Sequence, residues 1–111
     1  MSVHSEIKKI TTETLRKMKF DKEKITMLTA YDFTTAKMVD AGGTDAILVG
    51  DSAANVMAGF ETTLPITLDQ MIYHAQCVVR GAKRALVVVD LPFGTYQSDP
   101  QKALESSVRI M

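Results

Sequence analysis

The chain has 111 residues, and 13 Lys and Arg balance 13 Asp and Glu to a formal net charge of zero. That length fits one small domain, and no basic stripe of the kind that nucleic-acid binders present is visible. No apolar run approaches the roughly 20 residues of a membrane span, no signal-peptide pattern opens the chain, and the single cysteine, Cys77, suits a reducing cytoplasm.

In chain order, residues 1–19 read as an arm with a short amphipathic helix around Thr12–Met18. Lys24–Ala30 follows as the first strand. Asp32 is placed to cap a helix over Phe33–Ala41, which stops at Gly42-Gly43. Asp45–Gly50 is the second strand. Ser52–Pro65 is rich in small residues and loop-like, with one helical turn around Ala54–Ala58. Thr67-Leu68-Asp69-Gln70 forms a capping box that opens a helix running to about Arg80 and ending at Gly81. Ala85–Val89 is the third strand. Ser98-Asp99-Pro100-Gln101 starts a last helix, with Pro100 at its first position, and that helix reaches Met111 without a C-cap.

The resulting order, β-α-β-α-β-α, implies right-handed crossovers and a parallel sheet in an α/β fold. Three parallel strands would leave two apolar edges uncovered. A (β/α)₈ barrel needs about 250 residues. The whole chain, 1–111, is therefore expected to be the N-terminal portion of one larger barrel domain, covering about its first three βα units.

Each strand run ends on an aspartate: Asp32, Asp51 and Asp90. Ligands of α/β folds bind at the C-terminal ends of parallel strands. Three acids there suggest one cluster of hard oxygen ligands for a divalent metal and an oxygen-rich substrate. Asp51 and Asp90 are the sharpest pair, because neighbouring strands lie about 4.8 Å apart and Mg²⁺ takes one or two carboxylates plus substrate and water oxygens. Asp51 also reads as a helix cap or a solvated loop acid. Asp90 is harder to explain that way, since Leu91-Pro92 follows and no helix starts there. A carboxylate directly after an unbroken apolar run needs a specific partner. Ser52 is able to meet a substrate carboxylate or to serve as a turn residue. Asp32 reads more readily as an N-cap than as a ligand, and Tyr31 lines the barrel mouth or packs there. His74 has no second histidine at ligand spacing and reads as a packing residue, and Cys77 as a small buried hydrophobe. The methionines look like core filler, and neither a Gly-rich phosphate loop nor a Ser/His/Asp constellation is present.

Taken together, Met27–Asp32, Ile47–Ser52, Thr63–Thr67, Tyr73-His74, Val78–Ala82 and Val89–Phe93 resemble the N-terminal part of the ketopantoate hydroxymethyltransferases, from about residue 8 to the end. No single motif is specific, but their shared order and spacing are. The resemblance implies a (β/α)₈ barrel that uses Mg²⁺ and transfers a one-carbon unit from 5,10-methylenetetrahydrofolate to 3-methyl-2-oxobutanoate, giving ketopantoate for coenzyme A biosynthesis. It carries the metal role to Asp51 and Asp90, and substrate binding to Asp51, Ser52 and Asp90. It also implies a cytoplasmic homo-oligomer at full length. In the chemistry so implied, the 2-oxo acid chelates the metal, C3 loses a proton, and the resulting enolate attacks the folate methylene carbon.

One departure is Phe60, where the family often has His or Tyr. A larger one is that the family's substrate-binding Lys, a further metal-associated Glu and the general-base Glu all fall beyond Met111. No catalytic base is therefore identified in this chain. Two other readings stand beside this one. The first is a non-catalytic remnant that acts by association. The second is a receiver-like signalling domain holding Mg²⁺ and accepting a phosphoryl group on Asp90, although such a sheet needs five strands and only three are found.

Overall fold

The structure, a computed structural model, describes residues 8–111, so residues 1–7 of the expected arm lie outside the described residues. Helix α1 spans Thr12–Phe20, strand β1 Met27–Thr29, α2 Phe33–Ala41, β2 Ala46–Val49 and α3 Ala53–Val56. Then follow α4, Leu68–Gly81, β3, Leu86–Val89, and α5, Pro100–Ile110. Four of these helices begin where local sequence chemistry says they should. Thr11 and Thr14 form one capping box, and Thr67 and Gln70 another. Asp32 and Asp99 each accept an amide from three residues on, at Thr35 and Lys102. Each satisfied amide removes one of the orphan donors that a helix N-terminus otherwise leaves.

The three strands form one parallel sheet in the order β1-β2-β3. Met27 pairs with Ala46 and Ala46 with Leu86, and the β2–β3 register runs on to Val49 opposite Val89. Flavodoxin-like sheets, the receiver architecture, run 2-1-3 with the first strand in the middle. Here β2 is in the middle, so the receiver-like reading falls. The sequential order fits successive βα units of a barrel family.

β1 is shorter than the expected strand Lys24–Ala30: the Thr26 carbonyl accepts the Ala46 amide at 3.0 Å, but the Thr26 amide does not turn to β2. Thr26 instead donates its amide and hydroxyl to Asp45 Oδ2 at 2.9 and 3.0 Å, and the Asp45 amide donates to Thr26 Oγ1 at 3.1 Å. Side chains alternate across a strand, so Ile47 and Val49 share one face with Val87 and Val89. That face packs under the helices in a core with Ala36, Ala53, Ala54, Ile66, Met71 and Val78. Leu48 and Val88 sit half-buried on the other face.

Helices α2 and α4 meet at Gly81, where a β-carbon would lie 2.6 Å from the Phe33 carbonyl oxygen and 3.1 Å from Ala36 Cβ. Only a residue without a side chain permits that approach. A second tie is Asp40, buried on α2. Its carboxylate accepts the amides of Ala85 at 2.7 Å, Lys83 at 3.0 Å and Arg84 at 3.1 Å. Burial by itself would raise the Asp40 pKa. The three amides, led by that of Ala85, and the Arg84 charge more than offset it and hold the carboxyl below its usual value. The Arg84 guanidinium meanwhile donates to the Thr44 carbonyl at 2.6 Å.

Two outcomes are expected. Gly81→Ala gains about 1 kcal/mol in helix propensity, but overpacking against a backbone carbonyl costs about 1–3 kcal/mol. Because the carbonyl cannot swing aside, the melting temperature of a full-length protein carrying this segment should fall. Asp40→Asn should be destabilised at neutral pH by about 2–3 kcal/mol, the scale of hydrogen bonds to a charged group. The folded pKa of Asp40 lies below its unfolded value. Its contribution is therefore complete above the unfolded pKa of about 3.9 and is lost as pH falls through the folded value. Urea unfolding followed from about pH 7 to about pH 3 should show a steeper acid loss in the parent than in the Asn variant.

Candidate active site

The C-terminal ends of β2 and β3 carry the site. The ladder extends one step past the strands, with the Asp90 amide donating to the Val49 carbonyl at 3.0 Å. That step brings Asp90 level with the turn after β2, where the Asp51 amide donates to Asp90 Oδ2 at 3.1 Å. The partner that a carboxylate after an apolar run requires is therefore, in part, the backbone of Asp51. Both aspartates are half-buried and line one open cleft of about 450 Å³ with Val89, Leu91 and Tyr96. No cation belongs to that lining. Two carboxylates facing a common space repel each other unless a positive charge sits between them.

Asp32 does not join them, which corrects the expectation of a three-acid cluster. Its Oδ1 accepts the Thr35 amide at 2.7 Å and its Oδ2 the Thr35 hydroxyl at 3.2 Å, so the cap of α2 holds the carboxylate away. Among the described residues no group of three or more His, Cys, Asp or Glu is arranged to hold a metal. Mg²⁺ asks for less than that from protein, since substrate and water oxygens complete its octahedron.

Ser52 opens α3, but its side chain makes no capping bond to that helix. Ser52 lies in the turn between β2 and α3, as its turn-residue reading has it, and its hydroxyl lies 2.6 Å from the phenol oxygen of Tyr31. His74 reaches across from α4 and places Nδ1 2.9 Å from the Tyr31 carbonyl oxygen. A carbonyl only accepts, so Nδ1 carries the proton. The imidazole also stands edge-on to the Tyr31 ring, with centroids 6.3 Å apart. Its expected packing role is met, with the added task of holding Tyr31. Cys77 is buried, as its reading as a small hydrophobe requires.

A family model described as Ketopantoate hydroxymethyltransferase matches residues 9–111. The chain belongs to this family. It is 71% identical over 104 residues to the 3-methyl-2-oxobutanoate hydroxymethyltransferase of Flavobacterium johnsoniae, covering 94% of this chain and 38% of that one. Identity is 70% over 106 residues to the enzyme of the same name from Christiangramia forsetii, covering 96% of this chain and 39% of that one. With that of Salinibacter ruber it is 65% over 103 residues, covering 93% and 39%. The chain thus spans about two-fifths of the length of the curated relatives it matches.

In this segment of the family the sequence left Tyr96 unmarked and gave only part of what Tyr31 and Gly50 do. Tyr96 comes to the cleft from the loop after β3, and no periodicity marks it. The Tyr31 phenol, weighed only as lining or packing, is bonded to Ser52. Gly50 did leave a signal, since a glycine at the end of a β-branched strand marks a close approach. A β-carbon on Gly50 would sit 3.2 Å from Ser52 Oγ and 3.3 Å from Asp90 Oδ2. Both neighbours are side-chain oxygens able to give by a few tenths of an ångström. Gly50→Ala should therefore leave the fold intact and push those two groups apart. A shifted Asp51 amide resonance in the NMR spectrum, with little change in melting temperature, is the expected signature.

Proposed function

We propose that this chain supplies the first βα units of a (β/α)₈ barrel enzyme making ketopantoate, the hydroxymethylated product of 3-methyl-2-oxobutanoate, with 5,10-methylenetetrahydrofolate as one-carbon donor. The observation that carries the reading is the convergence of Asp51 and Asp90 on one cleft beside Ser52, at adjacent parallel strand ends, in a chain of this family. The donor set fits Mg²⁺: two hard carboxylates, an open cleft for water and substrate oxygens, and no cation in its lining. Asp51 and Asp90 would hold the ion. Bound there, Mg²⁺ supplies electrophilic stabilisation of the negative charge that develops on the ketone oxygen of the 2-oxo acid.

The remaining work of this segment is positioning. The Asp51 amide holds one oxygen of Asp90, so that carboxylate presents a fixed direction to its cleft. Ser52 donates its hydroxyl proton to the substrate carboxylate and fixes which way C3 faces, which matters because reacting atoms must approach within about 3–3.5 Å in line. Asp51 lies next to Ser52 in the chain, so metal and carboxylate recognition share one turn. Removal of the C3 proton is assigned to a glutamate that the family carries beyond the position of Met111. The reading also entails a cytoplasmic, homo-oligomeric enzyme.

Asp51→Asn and Asp90→Asn keep the side-chain size and remove the negative charge. In the full-length enzyme carrying this segment, each should weaken Mg²⁺ binding by tenfold or more, roughly one charge-assisted contact, and lower turnover in step. Isothermal calorimetry with Mg²⁺ and a rate assay at varied Mg²⁺ check this. An unchanged Mg²⁺ dependence in both variants would remove the assigned role.

A further inference from the structure

We propose that Tyr31 is a positioning residue for the substrate, acting through Ser52: its phenol donates to Ser52 Oγ and turns the Ser52 hydroxyl proton toward the carboxylate of the 2-oxo acid. The inference rests on the proposed role of Ser52 and deepens it. At 2.6 Å the pair is at the short end for O–H···O bonds, and both residues are half-buried. A phenol O–H is a stronger hydrogen-bond donor than an alkyl hydroxyl, so Tyr31 is the better donor of the two. Once Ser52 Oγ accepts, its own proton has to point elsewhere, and polarisation along the chain strengthens the bond it makes next.

What makes the arrangement a positioning device is how firmly Tyr31 is held. Its carbonyl accepts from His74 Nδ1 at 2.9 Å, and its ring meets the His74 ring edge-on. The residue before it, Ala30, is buried and donates its amide to the Leu48 carbonyl at 3.2 Å. The residue after it, Asp32, is locked as the cap of α2. The phenol oxygen is therefore a fixed point set by β1, α2 and α4 together. Ser52, by contrast, stands at the start of a four-residue helix and makes no side-chain bond to it. Without Tyr31 its hydroxyl rotor has no partner to set it.

The test is a double-mutant cycle in the full-length enzyme with Mg²⁺, combining Tyr31→Phe and Ser52→Ala. Two readouts are used: the calorimetric dissociation constant for 3-methyl-2-oxobutanoate without folate, and the steady-state constants. Tyr31→Phe alone should raise the dissociation constant and KM about 3- to 10-fold, the scale of one neutral hydrogen bond, with a smaller change in kcat. In the Ser52→Ala background the same substitution should change the dissociation constant by less than about 2-fold, because the route through Ser52 is already gone. If Tyr31→Phe weakens binding equally in both backgrounds, the phenol touches the substrate itself and the inference is overturned. It is also overturned if Tyr31→Phe lowers the melting temperature and leaves binding alone, since the bond then serves stability only. Unchanged binding in Ser52→Ala is a different failure, because it removes the role proposed for Ser52 and takes this inference with it.

Discussion

The carboxylate of Asp40 decides where β3 begins. Parallel strands have no tight turn between them, so their register is fixed by contacts outside the ladder. Here a buried acid on α2 gathers the amides of Lys83, Arg84 and Ala85, immediately before β3 at Leu86. A slip of one residue would send every side chain of β3 to the other face. Val87 and Val89 would leave the helix-covered core, and Asp90 would turn away from the Asp51 amide. The site at one end of the sheet therefore depends on a carboxylate at the other.

The two ends differ in kind. At the ends where β2 and β3 begin, polar groups are used up within the protein: Asp40 by three amides, Asp45 by Thr26, Arg84 by the Thr44 carbonyl. Where those strands finish, Asp51 and Asp90 face an open cleft and retain lone pairs for something else. The contrast is physical. A buried acid is tolerable when amides replace its water, whereas two half-exposed acids at an open cleft keep their water and stay free to exchange it for a ligand. The division matches the one between structural and ligand-facing ends that parallel α/β folds show.

Much of this was legible in the sequence, and the reason is locality. Thr67 with Gln70, and Asp99 ahead of Pro100, announce helix starts because their partners lie only three residues away. The apolar runs announce strands because parallel strands are built for cover on both faces, although in this segment only β2 has most of that cover and β1 is exposed. At Asp32 locality offered two readings, a ligand and an N-cap, and the preferred one, the cap, is what the structure shows. The place of Asp32 after a strand run resembled that of Asp51 and Asp90, but Thr35 stands near enough to take the carboxylate as a cap. What the sequence could not express is contact across long separations. Asp40 meets amides 43 to 45 positions away, and Tyr31 meets Ser52 after 21. A faint clue was present at Asp40, since an acid near a helix C-terminus opposes the helix dipole and needs a compensating reason to be there.

The tripeptide Ala30-Tyr31-Asp32 joins β1 to α2 and serves the interior, the Ser52 hydroxyl and the helix start in successive residues. Joins of this kind are where loops usually absorb insertions and deletions. Here there is no slack to absorb one. An added residue before Tyr31 would carry the phenol away from Ser52, and one after it would separate the phenol from the cap that anchors it. Natural variation in length should therefore collect elsewhere in this segment, in the long stretch between α3 and α4 that carries Phe60, and leave this junction at constant length.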